Sequence, residues 1–352
     1  MFKKQQNRVR IAKALETKRT STPYAVSVED LTVHYVTSKE TVKAVNGISF
    51  KLPKKRTLGI VGETGAGKTT AMLSLMNMVP DPPGKIISGN IQVGGLDIRG
   101  LSQSELKRVR GKEIAMIFQD PMTSLNPVIT VGDQIAESLL LHQDISKQEA
   151  MEQARGMLAK VGIDPDRAGE YPHQFSGGMR QRVGIAIALA CKPSVLIADE
   201  PTSALDVTIQ AQILHLMREL KEENDSSMIL ITHDLGVVAE LCDDVAVMYA
   251  GNIVEYGTLE DVFNHTKHPY TEGLFNSLPN IHNRVSKLQP IPGLMPDPSK
   301  LPDGCAFAPR CPYATEACKA QAPYIKHFSE SHLAACTAYH DEAFAIKRRE
   351  TE

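Results

Sequence analysis

Leu58-Gly59-Ile60-Val61 runs into Gly62-Glu63-Thr64-Gly65-Ala66-Gly67-Lys68-Thr69, and this stretch decides the fold. The short apolar run reads as a strand. The residues after it fit G-x-x-x-x-G-K-[ST]. Glycines let the backbone turn with its N–H groups facing inward, a nest for phosphate oxygens. A helix-like stretch from Lys68 to Met78 starts at the turn and presents its positive dipole end to the same phosphates. Lys68 supplies a full charge to β- and γ-phosphates, and the Thr69 hydroxyl can ligate Mg²⁺. Pro80, Pro82, Pro83 and Gly84 end that helix.

Outward from this motif, strands are expected at 26–34, 44–52, 91–93 and 114–118, and residues 130–190 read as mainly helical. Val195-Leu196-Ile197-Ala198 is continuously apolar, as in a parallel sheet covered on both faces. A helix over 207–223 carries Ile209, Ile213, Leu216 and Leu220 on one face. Strands at 228–232, 245–249 and 252–256 complete the unit. Strands alternating with helices imply an α/β domain.

Two further motifs bear on chemistry. The apolar strand at 195–198 ends in Asp199-Glu200. Beside a phosphate loop, Asp199 is placed to hold Mg²⁺ and Glu200 to act as general base toward water. Ser176-Gly177-Gly178 opens a helix, a second anion-friendly N-terminus, although alone it signals only a helix start.

Composition sets bounds. The chain has 352 residues, 42% hydrophobic and 23% charged, an ordinary globular balance, and its net charge of −2 provides no global basic field for nucleic acid. Residues 1–24 form a basic tail, with Lys3, Lys4, Arg8, Arg10, Lys13, Lys18 and Arg19 against Glu16. A solvated tail and a contact with anionic lipid head groups both suit it. No signal peptide and no apolar run of about 18–20 residues is visible, so the chain is expected in the cytoplasm, reaching a membrane only through a partner. Five prolines between 289 and 303 break regular structure, and 285–340 reads as a separate small appendage that depends on a metal for order. Cys191 and Cys242 suit inert core thiols, whereas Cys305, Cys311, Cys318 and Cys336 cluster late. Four thiolates suit zinc or an iron–sulfur cluster, and their spacing leaves both open.

In order and content these motifs resemble the ABC (ATP-binding cassette) ATPases. Gly62–Thr70 looks like the family's Walker A loop (Gly62, Glu63, Thr64, Gly65, Ala66, Gly67, Lys68, Thr69, Thr70), and 195–200 like its Walker B. Ser176, Gly177 and Gly178 look like its signature, with Phe175 and Met179 in place of the usual Leu and Gln. Gln119 is similar to the Q-loop glutamine, which touches Mg²⁺ or water, Ser203–Asp206 to the D-loop, and His233 to the switch histidine. Tyr35 stands where the family stacks adenine. Each of these last three aromatic or polar residues also has a plain structural reading: a helix-capping histidine, a strand tyrosine, a solvated glutamine.

The resemblance narrows with Phe118–Pro127, His268-Pro269-Tyr270-Thr271, Ile291-Pro292-Gly293 and Gly304-Cys305…Pro309-Arg310-Cys311-Pro312, which are similar to oligopeptide and dipeptide permease ATPases. It implies a P-loop core with an antiparallel β subdomain over 25–280, a helical subdomain near 120–190, and a metal-binding region over 281–352 carrying a [4Fe–4S] cluster. It implies ATP and Mg²⁺, and a site completed in trans, with Ser176 and Gly178 facing the partner's ATP. The implied partners are a second related ATPase chain or another copy, two membrane-spanning permease subunits and an extracytoplasmic solute-binding protein. The implied place is the cytoplasmic side of the cell membrane. Importers of nickel, other small solutes or sugars share the pattern. A soluble repair or translation ATPase would need a coiled-coil insertion or two cassettes, and a degenerate scaffold would lack Lys68, Asp199, Glu200 and His233.

Overall fold

Continuous apolar runs fold as strands buried on both faces, and alternating runs fold as strands with one wet face. The structure, a computed structural model, describes residues 2–120, 124–203, 205–277, 290–341 and 344–346, with side chains from residue 10. The first half contains α1 (Phe2–Lys18), β1 (Tyr24–Val36), β2 (Thr41–Pro53), β3 (Thr57–Val61), α2 (Lys68–Leu75), β4 (Gly84–Val93), β5 (Leu96–Asp97), α3 (Gln103–Val109) and β6 (Ile114–Ile117). Three helices follow: α4 (Val131–His142), α5 (Lys147–Lys160) and α6 (Gly177–Leu189). Then come β7 (Val195–Asp199), α7 (Val207–Glu223), β8 (Ser227–Ile231), α8 (Leu235–Leu241), β9 (Asp244–Tyr249), β10 (Asn252–Thr258), α9 (Leu259–Asn264) and α10 (Pro269–Asn276). The last elements are α11 (Glu316–Ala320), β11 (Ile325–His327) and β12 (Leu333–Ala335).

Among the described residues the strands form two sheets, ordered β2-β1-β4-β5 and β11-β12-β10-β9-β3-β8-β7-β6. The first is antiparallel, with Val26 opposite Leu52 and Val93, and Val28 opposite Phe50 and Ile91. In the second, β9, β3, β8, β7 and β6 run parallel, and β10, β12 and β11 join antiparallel. Every residue of β3, β7 and β8 is buried. Helix α7 buries Ile213, Leu214, Leu216, Met217 and Leu220 and leaves Val207 in water. Capping boxes at Ser102 and Ser146 fix the starts of α3 and α5.

Three expectations are corrected. The N-terminal segment is a docked helix: Ile11 and Leu15, one turn apart, pack on the antiparallel sheet's core, Lys18 bonds Glu105 at 2.6 Å and Arg19 bonds Glu113 at 2.7 Å. The Lys18 bond, helped by Ser102, holds the Glu105 carboxyl at about 2. Helix α2 ends at Leu75, before the prolines, because Asn77 turns left-handed at φ 50°. The late region is no separate appendage. Strand β12 pairs with β10 through Glu255↔Ala334 and Tyr256↔Leu333, and Phe307 packs edge-on to Tyr249 and Tyr270 at 5.3 and 5.4 Å between ring centres. Such aromatic pairs add about 0.5–1.5 kcal/mol each beyond area burial. The boundary expected near residue 280 lies within 278–289, outside the described residues.

Glu255 fastens this junction. Fully buried, its carboxylate accepts from the Lys267 amide (2.7 Å), the His268 amide (2.9 Å) and His332 Nε2 (2.9 Å). Removing an acceptor from a buried set strands its donors. Glu255→Ala should therefore cost about 3–5 kcal/mol in urea unfolding of the full chain; a midpoint within error of wild type would show that the junction does not depend on it.

Candidate functional site

The phosphate loop leaves β3 and enters α2 under tight backbone contact. A Cβ at Gly62 would sit 2.2 Å from the Met248 carbonyl oxygen, and one at Gly67, where φ is +96°, would sit 2.2 Å from that of Ala44. Only glycine fits both places. No side chain caps the start of α2, which leaves its first amides for an anion. Lys68 is 7% exposed, and its Nζ donates to the carbonyls of Gly62 (2.6 Å) and Glu63 (3.0 Å). Burial pushes its pKa down, opposed by Glu200, Asp199 and Glu63.

A cleft of about 410 Å³ is lined by Tyr35, Thr64, Gly65, Gly67, Lys68, Thr69 and Thr70, and by Gln119, Glu200 and His233 from the neighbouring strand ends. Asp199 lies buried behind it, accepting from Thr69 Oγ1 at 2.8 Å. Gln119 Nε2 donates to Glu200 Oε2 at 2.9 Å, and His233 Nδ1 lies 3.3 Å from Glu200 Oε1. Tyr35 and Thr70 hydroxyls share a bond of 3.2 Å. Ala66 is buried beneath the loop. Glu200 itself is left-handed, φ +45°, a conformation disfavoured for its side chain.

The other expected residues lie elsewhere. Ser176 and Gly177 are exposed at the start of α6, where the Ser176 hydroxyl accepts from the Met179 amide at 3.4 Å, and Gly178 follows them. Asp206 caps α7 through the Ile209 amide at 3.0 Å. Neither group lines the cleft of its own chain. Ala204 of the 203–206 segment and Pro121–Thr123 of the 118–127 phrase lie outside the described residues. Sequence reasoning missed Pro298, which lines the cleft, and Arg310, which bonds Glu63 at 3.0 Å. Both sit far along the chain, and the only sequence signals were the Ile291–Gly293 and Pro309–Pro312 phrases.

The four late cysteines share one small cavity with Phe307, Tyr313 and His268. Backbone amides donate to three of the sulfurs: Phe307 and Ala308 to Cys305, Tyr313 to Cys311, Ala338 and Tyr339 to Cys336. Thr315 Oγ1 lies 3.4 Å from Cys318 Sγ. Burial pushes three of these thiols up, Cys305 among them, with Cys311 raised to about 12 and Cys336 to about 11. As they stand, no group of three or more His, Cys, Asp or Glu side chains among the described residues could hold a metal ion. Cys191 and Cys242 are desolvated thiols of the core, raised to about 11 and about 12.

A glycine loop between a buried parallel strand and a helix, with carboxylates from a nearby strand end, defines a P-loop nucleotide-binding protein. Residues 45–203 match the family described as ABC transporter, and 254–318 match the oligopeptide/dipeptide transporter C-terminal region. The dipeptide transport ATP-binding protein DppD of Bacillus subtilis is 50% identical over 313 residues, 88% of this chain and 93% of that protein. The oligopeptide transport ATP-binding protein OppD of the same organism is 50% identical over 321 residues, 90% of each chain. An ATP-binding cassette solved as a dimer, in a post-hydrolysis state bound to ADP and Pi, superposes with TM-score 0.61 at 26% identity, covering 66% of this chain and 98% of that one. The chain belongs to the ATP-binding subunits of ABC transporters, in the branch that carries the oligopeptide/dipeptide C-terminal region. Among the described residues no helix is long and apolar enough to cross a membrane.

Burial pushes the Asp199 carboxyl up, and Glu200 adds to the rise against the Thr69 bond and Lys68. A carboxyl whose folded pKa exceeds its unfolded one keeps a proton that the unfolded chain has lost, so stability falls as pH rises through that window. Asp199→Asn should then resist urea better than wild type at pH 7, with the gap narrowing as pH falls toward the ordinary carboxylate range. An equal or lower midpoint at pH 7 would mean that this ionised carboxylate carries no such cost.

Proposed function

We propose that this chain is the ATP-binding and hydrolysing subunit of a membrane importer of oligopeptides or dipeptides. The observation that carries the enzymatic half is the Glu200 carboxylate, held between Gln119 and His233 in the cleft that Lys68 enters. In this reading the amides of 62–70 and the Lys68 ammonium grip the β- and γ-phosphates, and Tyr35 stacks on adenine. The Thr69 hydroxyl and the Asp199 carboxylate are hard oxygen donors that would hold Mg²⁺. When bound, Mg²⁺ neutralises charge on the β- and γ-oxygens. Glu200 then accepts the proton of the attacking water, Gln119 fixes the carboxylate, and His233 orients water and γ-phosphate. Ser176 and Gly178, with Asp206 behind them, serve the ATP of a second ATPase chain. ATP closes the pair and hydrolysis reopens it, a two-state element to drive transport.

The peptide half rests on the relatives, whose names are dipeptide and oligopeptide transport ATP-binding proteins. The partners in this reading are a related ATPase chain or a second copy, two permease subunits and an extracytoplasmic binding protein, with the chain peripheral on the cytoplasmic side. Reconstituted with permease subunits in proteoliposomes, the wild type should hydrolyse ATP faster when a peptide-loaded binding protein is present. Glu200→Gln should bind MgATP normally and lose turnover by about 10²–10⁴-fold. Near-normal hydrolysis in Glu200→Gln would remove it from the base role, and indifference to peptide would remove the assigned cargo.

We also propose that Cys305, Cys311, Cys318 and Cys336 hold a [4Fe–4S] cluster, with zinc as the competing outcome. What supports it is the chemistry of the donor set, four soft sulfurs lining one cavity with amide N–H bonds at three of them. In the positions they take here they do not form a metal-holding group, so binding requires the side chains to turn toward one another. When bound, the cluster would cross-link the loops that carry its ligands. Protein purified without oxygen should be brown and contain iron and sulfide, and Cys311→Ser should lose the colour. Colourless protein with stoichiometric zinc overturns the assignment.

A further inference from the structure

Arg310 is nearly buried, its side chain 6% exposed, yet it lies next to Cys311, far along the chain from the phosphate loop. Its Nε donates to the Pro292 carbonyl at 2.9 Å and its Nη2 to that of Ile291 at 3.4 Å. Its Nη1 donates to Glu63 Oε2 at 3.0 Å and to the Tyr249 hydroxyl at 3.2 Å. One planar fork thus ties together the strap at 291–298, the end of β9 and the loop.

Glu63 is the loop's receiving point. Its amide donates to the Tyr270 hydroxyl at 2.9 Å, and its carbonyl accepts from Lys68 at 3.0 Å. The side chain facing Arg310 therefore belongs to the residue whose carbonyl holds the phosphate-gripping lysine. The strap then runs along the same loop. The Met295 methyl lies 3.0 Å from where a Gly65 Cβ would be, and the Pro298 carbonyl accepts from the Lys43 amide at 2.9 Å at the cleft's edge.

We propose that Arg310 is a positioning residue for the phosphate loop, which through Glu63 makes nucleotide binding and the order of the strap and cysteine region mutually dependent. The proposal rests on the ATP-site reading above. Removing the guanidinium frees the Glu63 side chain, so the loop must spend binding energy to order itself. Linkage requires the reverse as well: a nucleotide that orders the loop must tighten the strap by the same factor.

The test uses the purified full-length chain with MgADP as probe. Arg310→Gln should weaken MgADP binding by about tenfold, with Arg310→Lys between it and wild type, because lysine keeps charge but lacks the fork. Combining Arg310→Gln with Glu63→Gln should weaken binding no further than either alone. In ATPase assays kcat/KM should fall more than kcat. Hydrogen exchange at 290–311 should slow on adding MgADP in wild type and stay unchanged in Arg310→Gln. Wild-type affinity in a folded Arg310→Gln, or additive losses in the double variant, overturns the proposal. Strap exchange indifferent to MgADP in wild type does the same. Should Arg310→Gln fail to fold, Glu63→Gln decides by the same readouts, since it alters the partly exposed loop side. Wild type that binds no MgADP sinks the ATP site itself, a separate failure from a wild type that binds and a variant that matches it.

Discussion

Parallel pairing of β3, β8, β7 and β6 is the constraint on which the site depends. Parallel strands end on the same edge of a sheet, and ligands of open α/β sheets bind there. The register sets Ile60 beside Ile231, Asp199 beside Ile231, and Ile117 beside Ala198. Four chain ends therefore open in one layer, spanning about 15 Å from β3 to β6 at ordinary strand spacing. The glycine loop follows β3, Asp199 and Glu200 close β7, Thr232 and His233 follow β8, and Gln119 lies just beyond β6. Were any of these strands reversed, its polar terminus would lie at the far end of the sheet.

The edge so formed holds buried charge of both signs. Burial disfavours both the Lys68 ammonium and the Asp199 carboxylate, and each partly offsets the other. The lysine's hydrogen bonds run to two carbonyls, while the carboxylates of Glu200, Asp199 and Glu63 act on it from nearby. A ligand carrying phosphate and a divalent cation supplies what each sign lacks. The left-handed backbone at Glu200 fits the same picture. Its amide bonds the Ile231 carbonyl at 2.9 Å and its carbonyl accepts from Ser203, so the surrounding contacts hold an unfavourable turn and aim the carboxylate at the cleft.

How much of this the sequence disclosed depended on the range of the contact. The loop and the carboxylate pair were legible because each sits at the end of a short apolar run, and local pattern marks those ends; Gln119 and His233 were reached only through the resemblance to ABC ATPases. Helix α7 was legible over its length, since its apolar spacing from Ile209 to Leu220 is local; the cap at its start by Asp206 was not read. Helix α1 was overlooked although Ile11 and Leu15 stand one turn apart, because the basic charges around them dominate the reading. The union of the late region with the core was not legible at all. Glu255 meets His332 and Glu63 meets Arg310 across long stretches of chain, and no local period encodes such pairs.

That union also settles an edge. Strand β10 would otherwise expose its hydrogen-bonding groups beyond β9, a template for association. Strand β12 covers it and passes the edge to β11, which is three residues long. The far side ends on β6, only four residues long. Short terminal strands offer little to a passing chain. The late region thus serves the sheet before it serves any metal: β12 seals the side, Glu255 locks the seal, and Arg310 carries the same attachment to the glycine loop. A region fastened at both the sheet edge and the nucleotide loop cannot loosen at one without disturbing the other.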